Sequence, residues 1–272
     1  MTNLQTRWPD IQRLASSHDD FERTTSLAIA VGSLEVALTA LGIARDPRQG
    51  FLRRLELSGI LSRAPGAPSL AEIRTATNAR NSAVHNHAVP DRKQCTAHVK
   101  TLENGWAAFR RLYVTRKTAA TLARHLLDFD VISDVFLFGS LARGHSDPVD
   151  IDLLLYDDGD LSSISSHYGD STFFVREMML DDIFFGDEAV RAALRLGWLD
   201  YILIDGTRFG EDKKYTLSLA QAQRDSLFFV KMSDALLRYD RKGDRWVKAR
   251  PKVFQRLATI KAQLVTENII RR

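Results

Sequence analysis

The first 117 residues carry apolar positions at spacings of three and four, and no convincing alternating strand lies among them. This spacing predicts amphipathic α-helices that pack as a bundle of four or five. One apolar stripe is formed by Leu27, Val31, Leu34, Leu38 and Leu41. Ser69 and Glu72 fit a capping box, so a helix is expected to start there. The predicted helices after the stripe cover residues 51–61, 69–87 and 92–114.

The pattern changes after residue 117. An amphipathic stretch at 118–129 predicts a helix, and the apolar runs at 135–138 and 149–156 predict strands on either side of a Gly-Ser turn and a polar loop. Later runs at 172–175, 198–204 and 227–239 extend the sheet, with a helix at 187–196 between them. The expected fold class is α+β: a helical bundle at 1–117, then a small mixed-sheet domain with flanking helices and a basic tail at 118–272.

The composition narrows the class of protein. A chain of 272 residues can bury enough surface to fold without disulfides or a structural metal. The single cysteine, Cys95, excludes an internal disulfide and the paired-cysteine zinc sites, and it suits a reducing compartment. No apolar signal core or long uncharged apolar stretch is present, so we expect a cytoplasmic protein without a membrane partner.

Charge is distributed unevenly along the chain. Residues 1–117 carry 17 basic and 10 acidic side chains, residues 118–240 carry 11 and 22, and residues 241–272 carry 10 and 2. An acidic middle between basic flanks suits carboxylates that bind metal and flanks that meet phosphates. Solvated helix faces produce the same bias, so charge alone leaves both interpretations open.

Two aspartates at the head of an apolar strand are the most informative feature. Side chains alternate across a strand, so Asp150 and Asp152 are expected on one face. Holding two like charges together costs repulsion and desolvation, which a divalent cation relieves. Carboxylate oxygens without a sulfur or histidine cluster favour Mg²⁺ or Mn²⁺. The alternative is that both carboxylates are simply solvated.

A glycine-rich turn precedes this pair. Gly139 and Ser140 follow the apolar run at 135–138, where glycine lets the backbone approach a ligand and turn its N–H groups towards an anion. Arg143 can offer a fork of donors to a polyphosphate. The parts together predict a metal-nucleotide site, whereas the turn alone would be an ordinary connection.

The ordered set of apolar strand, Gly-Ser, Ala-Arg-Gly and Asp-x-Asp resembles the nucleotidyltransferases of the DNA polymerase beta superfamily, and within it the minimal nucleotidyltransferases. The resemblance covers about residues 118–240. It implies nucleotidyl transfer with two bound metal ions that clamp the attacking oxygen and the leaving pyrophosphate. It also implies a third carboxylate from a later strand, for which Asp200 is the first choice and Asp205 the second.

A second motif lies in the helical half, where Arg80, Asn81 and His85 occupy the end of a predicted helix. Asn81 and His85 share a helix face, so the cluster could hold an RNA phosphate, whereas a helix C-terminus also favours such residues through its dipole. The motif resembles the signature of HEPN domains, which often accompany minimal nucleotidyltransferases. In the toxin-antitoxin pairs of that family a tyrosine follows two places after the histidine, and here His87 stands instead.

These interpretations lead to one leading function and two alternatives. We expect a magnesium-dependent transferase that moves AMP from ATP to a hydroxyl acceptor, which is a protein, an RNA or a small molecule. Asp150, Asp152 and Asp200 would bind metal, and Gly139, Ser140 and Arg143 would hold the triphosphate. The first alternative is a HEPN ribonuclease regulated in cis by the second domain, which would be expected to act as a homodimer because HEPN ribonucleases work as dimers. The second alternative is an inactive nucleotide-binding protein.

Overall fold

The structure is a computed structural model of the chain, and it describes residues 8–157 except 45, 47, 129–131 and 133, together with 187–205 and 236–249. The chain divides into two compact units. The first comprises Met1–Tyr113 and Phe184–Trp198, and the second comprises Val114–Ile183 and Leu199–Arg272. The architecture is α+β, as expected, with helices and a five-stranded mixed sheet.

The helices of the described chain follow the apolar spacing closely. Most bounds agree with the prediction to within a few residues, because capping residues sit where the periodicity starts and stops. In chain order the helices are α1 Trp8–Ala15, α2 Asp20–Ala40, α3 Phe51–Ser58, α4 Ile60–Arg63, α5 Leu70–Asn86, α6 Arg92–Tyr113, α7 Arg116–Leu126, α8 Gly139–Arg143 and α9 Glu188–Leu196.

One helix prediction was wrong. The segment 51–61 was expected to form a single helix, and it forms α3 and α4 instead. Gly59 takes a left-handed backbone with φ +59°, which ends α3 and starts α4. Glycine adopts this conformation without the steric cost that other residues incur, so an interior glycine here ends the helix.

The capping box at α5 was predicted correctly. The Ser69 hydroxyl accepts from the Glu72 backbone N–H at 3.2 Å, and the Glu72 carboxylate accepts from the Ser69 backbone N–H at 2.8 Å. At the other end, His87 closes the helix with a left-handed backbone, φ +55°. A non-glycine residue seldom takes this conformation, and here it completes the C-terminal cap.

The core of the first unit forms where α1, α6 and α9 pack against α2. Leu27, Leu34 and Leu38 of the predicted stripe are fully buried. An aromatic series adds to this core: the ring centroids of Trp8 and Trp106 lie 5.8 Å apart, and those of Trp106 and Trp198 lie 5.6 Å apart. Helix α9 was predicted as an intervening helix between the later strands, whereas its contacts group it with the helices of the first unit. In the described part of the chain, no helix has the length and hydropathy needed to cross a bilayer.

The second unit is built on a sheet with the strand order β3-β2-β1-β4-β5. Strands β1 and β2 are antiparallel, β2 and β3 are parallel, and β1–β4 and β4–β5 are antiparallel. The centre of the sheet is apolar because β1 and β2 are buried along most of their length. The strand bounds are β1 Asp134–Phe138, β2 Ile151–Asp157, β3 Leu199–Asp205, β4 Leu237–Asp240 and β5 Arg245–Lys248.

Three predicted strands are present, with small shifts at their ends: the runs at 135–138, 149–156 and 198–204 correspond to β1, β2 and β3. The predicted helix at 118–129 corresponds to α7. The run at 172–175 lies outside the described residues, as does 227–235. Only the end of the 227–239 run is described, and it enters β4.

The β4–β5 hairpin is tied to α7 by polar contacts. Arg124 donates to the Asp244 carboxylate at 2.6 Å, and the Tyr239 hydroxyl donates to the same oxygen. The hydrogen bond from Arg124 is the largest influence that lowers the pKa of Asp244 below its ordinary value. The turn of the hairpin is therefore held at a defined place beside the helix.

Replacing Ser69 with alanine should lower the free energy of unfolding by about 1 kcal/mol, because α5 loses its N-cap hydroxyl. Urea denaturation measures the change. The matched control is Ser62→Ala, since the Ser62 hydroxyl only donates to the Gly59 carbonyl one turn back. We expect that control to change stability by less than about 0.5 kcal/mol.

The stability difference between the native protein and Ser69→Ala should depend on pH. The Ser69 side chain, and then its backbone N–H, lower the pKa of Glu72 from its ordinary value of 4.5. A lowered carboxyl pKa contributes stability above the unfolded-state value, and that contribution is lost as the pH falls through the folded-state value. The stability difference between the native protein and Ser69→Ala should therefore shrink below pH 4.5. A constant difference would contradict the reciprocal cap.

Candidate active site

Three carboxylates come together at one end of β2 and β3. Asp150 immediately precedes β2, Asp152 is its second residue, and Asp200 is the second residue of β3. The parallel register pairs Asp152 directly with Asp200. Each of the three offers a ligand oxygen, and these oxygens all lie within 4.8 Å of one another. The structure thus brings together the three acids that were predicted as metal ligands.

The three carboxylates are close enough to repel one another. Asp152 is fully buried, while Asp150 and Asp200 are partly exposed. Like charges directly opposite each other on neighbouring strands repel, and burial of an ionised carboxylate is costly. A hard divalent cation coordinated by all three oxygens would lower both costs. Carboxylates at this spacing suit Mg²⁺ or Mn²⁺.

Gly139 packs against this cluster. The residue before it, Phe138, pairs with Asp152 across the antiparallel register. The Gly139 backbone has φ +73°, and a Cβ built there would lie 1.8 Å from the Asp152 carboxylate oxygen Oδ2. No side chain can occupy this position unless Asp152 moves. Glycine is therefore required here on two independent grounds, its left-handed backbone and its contact with the buried carboxylate.

The turn after Gly139 is a single helical turn, α8, rather than an open connection. The Ser140 hydroxyl is closed off from solvent and has no hydrogen-bond partner among the described residues. A buried polar group left unsatisfied costs about 1–3 kcal/mol, so a ligand oxygen at this hydroxyl would be favourable. Arg143, at the end of α8, is exposed. These residues fit a phosphate group beside a bound cation.

One residue that supports this turn was missed by the sequence prediction. Arg116, the first residue of α7, donates from Nη2 to the Ala142 carbonyl at 2.8 Å. It stands in the sequence at the boundary between the two predicted domains, where a basic pair resembles a linker. The sequence carried little signal for this role, because the predicted helix starts at 118, and only the structure places Arg116 at the helix N-terminus, where a cation opposes the helix dipole.

The second predicted cluster lies on α5 of the first unit. Arg80 donates from Nη1 to the Asn81 side-chain oxygen at 2.9 Å. His85 occupies the last turn of α5 and is exposed, and Asn81 is exposed one turn earlier. The predicted face shared by Asn81 and His85 follows from this helix. An RNA-cleaving role for the three residues stays a prediction.

Comparisons of the chain with protein-family models, with curated proteins and with solved structures find no match. The resemblance to nucleotidyltransferases and HEPN domains therefore rests on the quoted motifs.

Gly139→Ala should destabilise the protein by about 3 kcal/mol, since it adds a left-handed strain of about 1–2 kcal/mol to a collision with Asp152. Gly42→Ala is the matched control: its backbone has φ +74°, and nothing lies within 4 Å of an added Cβ. It should cost only about 1 kcal/mol. Thermal or urea unfolding of both variants measures the difference, and equal losses would refute the contact.

Asp200→Asn should weaken Mn²⁺ binding by about tenfold or more, because one of three carboxylate ligands is lost. Asp205→Asn is the comparison, since Asp205 pairs with Asp157 at the far end of β3. Five residues at about 3.3 Å each separate positions 200 and 205 along the strand. Mn²⁺ titration followed by electron paramagnetic resonance gives both affinities. A larger loss from Asp205→Asn would reverse the choice of third ligand.

Proposed function

We propose that this protein is a Mg²⁺-dependent nucleotidyltransferase that moves a nucleotide, with ATP as the expected donor of AMP, to a hydroxyl acceptor and releases pyrophosphate. The single observation that supports it most is the convergence of Asp150, Asp152 and Asp200, with ligand oxygens within 4.8 Å of one another. A merely solvated set of acids would not need a fully buried member such as Asp152.

The chemistry asked of these residues is positioning and charge stabilisation. When bound, divalent cations supply Lewis-acid polarisation of the phosphoryl oxygens and neutralise charge that develops on the leaving group. Asp152, buried and paired across the strands with Asp200, would fix the place of the cation. Asp150 would complete the ligand set from the loop that precedes β2.

The glycine turn would hold the other half of the substrate. At Gly139 the absence of a side chain lets the turn come close to the carboxylates, so phosphate oxygens held by the turn would meet the same cation. The Ser140 hydroxyl could donate to a phosphate oxygen, which would satisfy a buried polar group. Arg143 is exposed at the end of α8 and would offer its guanidinium to the outer phosphates.

The test is transfer of labelled nucleotide. The full chain is incubated with each α-labelled nucleoside triphosphate and Mg²⁺, with and without cell extract, and mass spectrometry identifies the modified acceptor. The Asp150→Asn/Asp152→Asn double variant should lose at least about 100-fold in transfer rate, because the residues that hold the charge-neutralising cation are gone.

The matched control is Asp134→Asn, which removes a carboxylate from β1 of the same sheet. Asp134 pairs with Arg238 and lies at the opposite end of β1 from Phe138. A partly exposed ion pair contributes little, so transfer should stay within about twofold of the native rate. Equal transfer by the native chain and the double variant would refute the proposal, and Mg²⁺-dependent ATP binding without any product would favour an inactive nucleotide-binding protein.

A further inference from the structure

Helix α7 begins with two cations at its positive end. Arg116 and Lys117 are its first residues, where the helix dipole disfavours positive charge. The Arg116 side chain reaches a negative helix end instead: Nε donates to the Leu141 carbonyl at 3.2 Å, and Nη2 donates to the Ala142 carbonyl at 2.8 Å. Both carbonyls lie in the last turn of α8, where a cation is favoured, and the Leu141 carbonyl also accepts from the Gly144 backbone N–H at 3.2 Å.

The contact defines an orientation as well as a distance. Two nitrogens of one planar guanidinium bind two successive carbonyls, so α8 can neither rotate nor slide without breaking a bond. Gly144 follows with a left-handed backbone, φ +79°, and a Cβ there would lie 3.6 Å from Arg116 Nη2, an ordinary contact. The chain after α8 therefore passes beside the guanidinium.

Arg116 is itself held from two sides. The Thr115 hydroxyl accepts from the Thr118 backbone N–H at 3.1 Å and so caps α7. Trp246 of β5 donates its indole N–H to the Arg116 carbonyl at 3.2 Å. A continuous set of hydrogen bonds thus runs from the β4–β5 hairpin through the start of α7 to the turn that carries Gly139 and Ser140.

We propose that Arg116 is a positioning residue, which holds the turn Gly139–Arg143 in the orientation that receives the triphosphate of the nucleotide. It acts through the carbonyls of Leu141 and Ala142. This inference rests on the proposed function for the identity of the ligand. The hold of Arg116 on the turn is testable apart from it.

The first arm of the experiment measures substrate use by the full chain with ATP and Mg²⁺. Arg116→Ala should raise the KM for ATP about tenfold, because the turn that receives the triphosphate loses both of its hydrogen bonds from Arg116, and should change kcat less. Affinity for Mn²⁺ should stay within about twofold, because the carboxylates lie on or next to the strands. Arg116→Lys should recover part of the KM loss, since an ammonium can reach one carbonyl but cannot bind two as a fork.

The matched control is Arg241→Ala. Arg241 donates to the Leu127 carbonyl, the C-cap of α7, at 3.0 Å and to Asp128 at 2.8 Å. The Arg241→Ala variant therefore removes the same kind of contact, an arginine bound to a carbonyl at a helix C-terminus, from α7 and not from α8. The KM for ATP should be unchanged in this variant. An equal rise in both variants would show a general loss of stability and overturn the positioning role.

The second arm is independent of activity. Hydrogen–deuterium exchange of the peptide that covers residues 139–145 should be about tenfold faster in Arg116→Ala, and unchanged in Arg241→Ala. Unchanged exchange and unchanged KM in Arg116→Ala would overturn the inference. A native chain that binds no ATP would overturn the proposed function, while faster exchange confined to 139–145 would still support the hold of Arg116 on the turn.

Discussion

The second unit depends on one close contact, between the backbone of Gly139 and the buried carboxylate of Asp152. A Cβ at position 139 would lie 1.8 Å from the Asp152 oxygen, so the turn and the carboxylate fit only while that position has no side chain. The antiparallel pairing of Phe138 with Asp152 fixes this approach through the main chain. The glycine turn and the acidic strand thus form one structural element. The spacing between Gly139 and Asp152 in the sequence follows from the strand pairing that places them in contact.

The sheet topology converts this contact into a three-carboxylate site. Antiparallel pairing of β1 with β2 sets the turn beside Asp152, and parallel pairing of β2 with β3 sets Asp200 opposite it. A parallel pair needs a long crossover, and α9 lies within the chain segment between β2 and β3. Asp152 and Asp200, more than 40 residues apart in sequence, therefore lie within a few ångströms of each other, because strand register and not chain proximity brings them together.

The predictions that succeeded concern local physics. The stripe of Leu27, Leu34 and Leu38 gave the buried face of α2, and the Ser69–Glu72 pair gave the cap of α5. The prediction of a single helix at 51–61 was wrong because Gly59 takes a left-handed backbone, which ends the helix although the apolar spacing continues. Helix α9 was recognised as a helix, whereas its packing against α2 depends on long-range contacts that periodicity does not encode.

By itself, the sequence determined most of the helices, the first three strands, and the grouping of Asp150 and Asp152, because those features follow from spacing within a few residues. Only the tertiary structure decided that position 200, and not position 205, pairs with Asp152, since that choice is made by the register of β3 on β2. It also decided the role of Arg116. Its two hydrogen bonds reach the carbonyls of Leu141 and Ala142, about 25 residues away in sequence. Arg116 can form them because α7 packs beside β1.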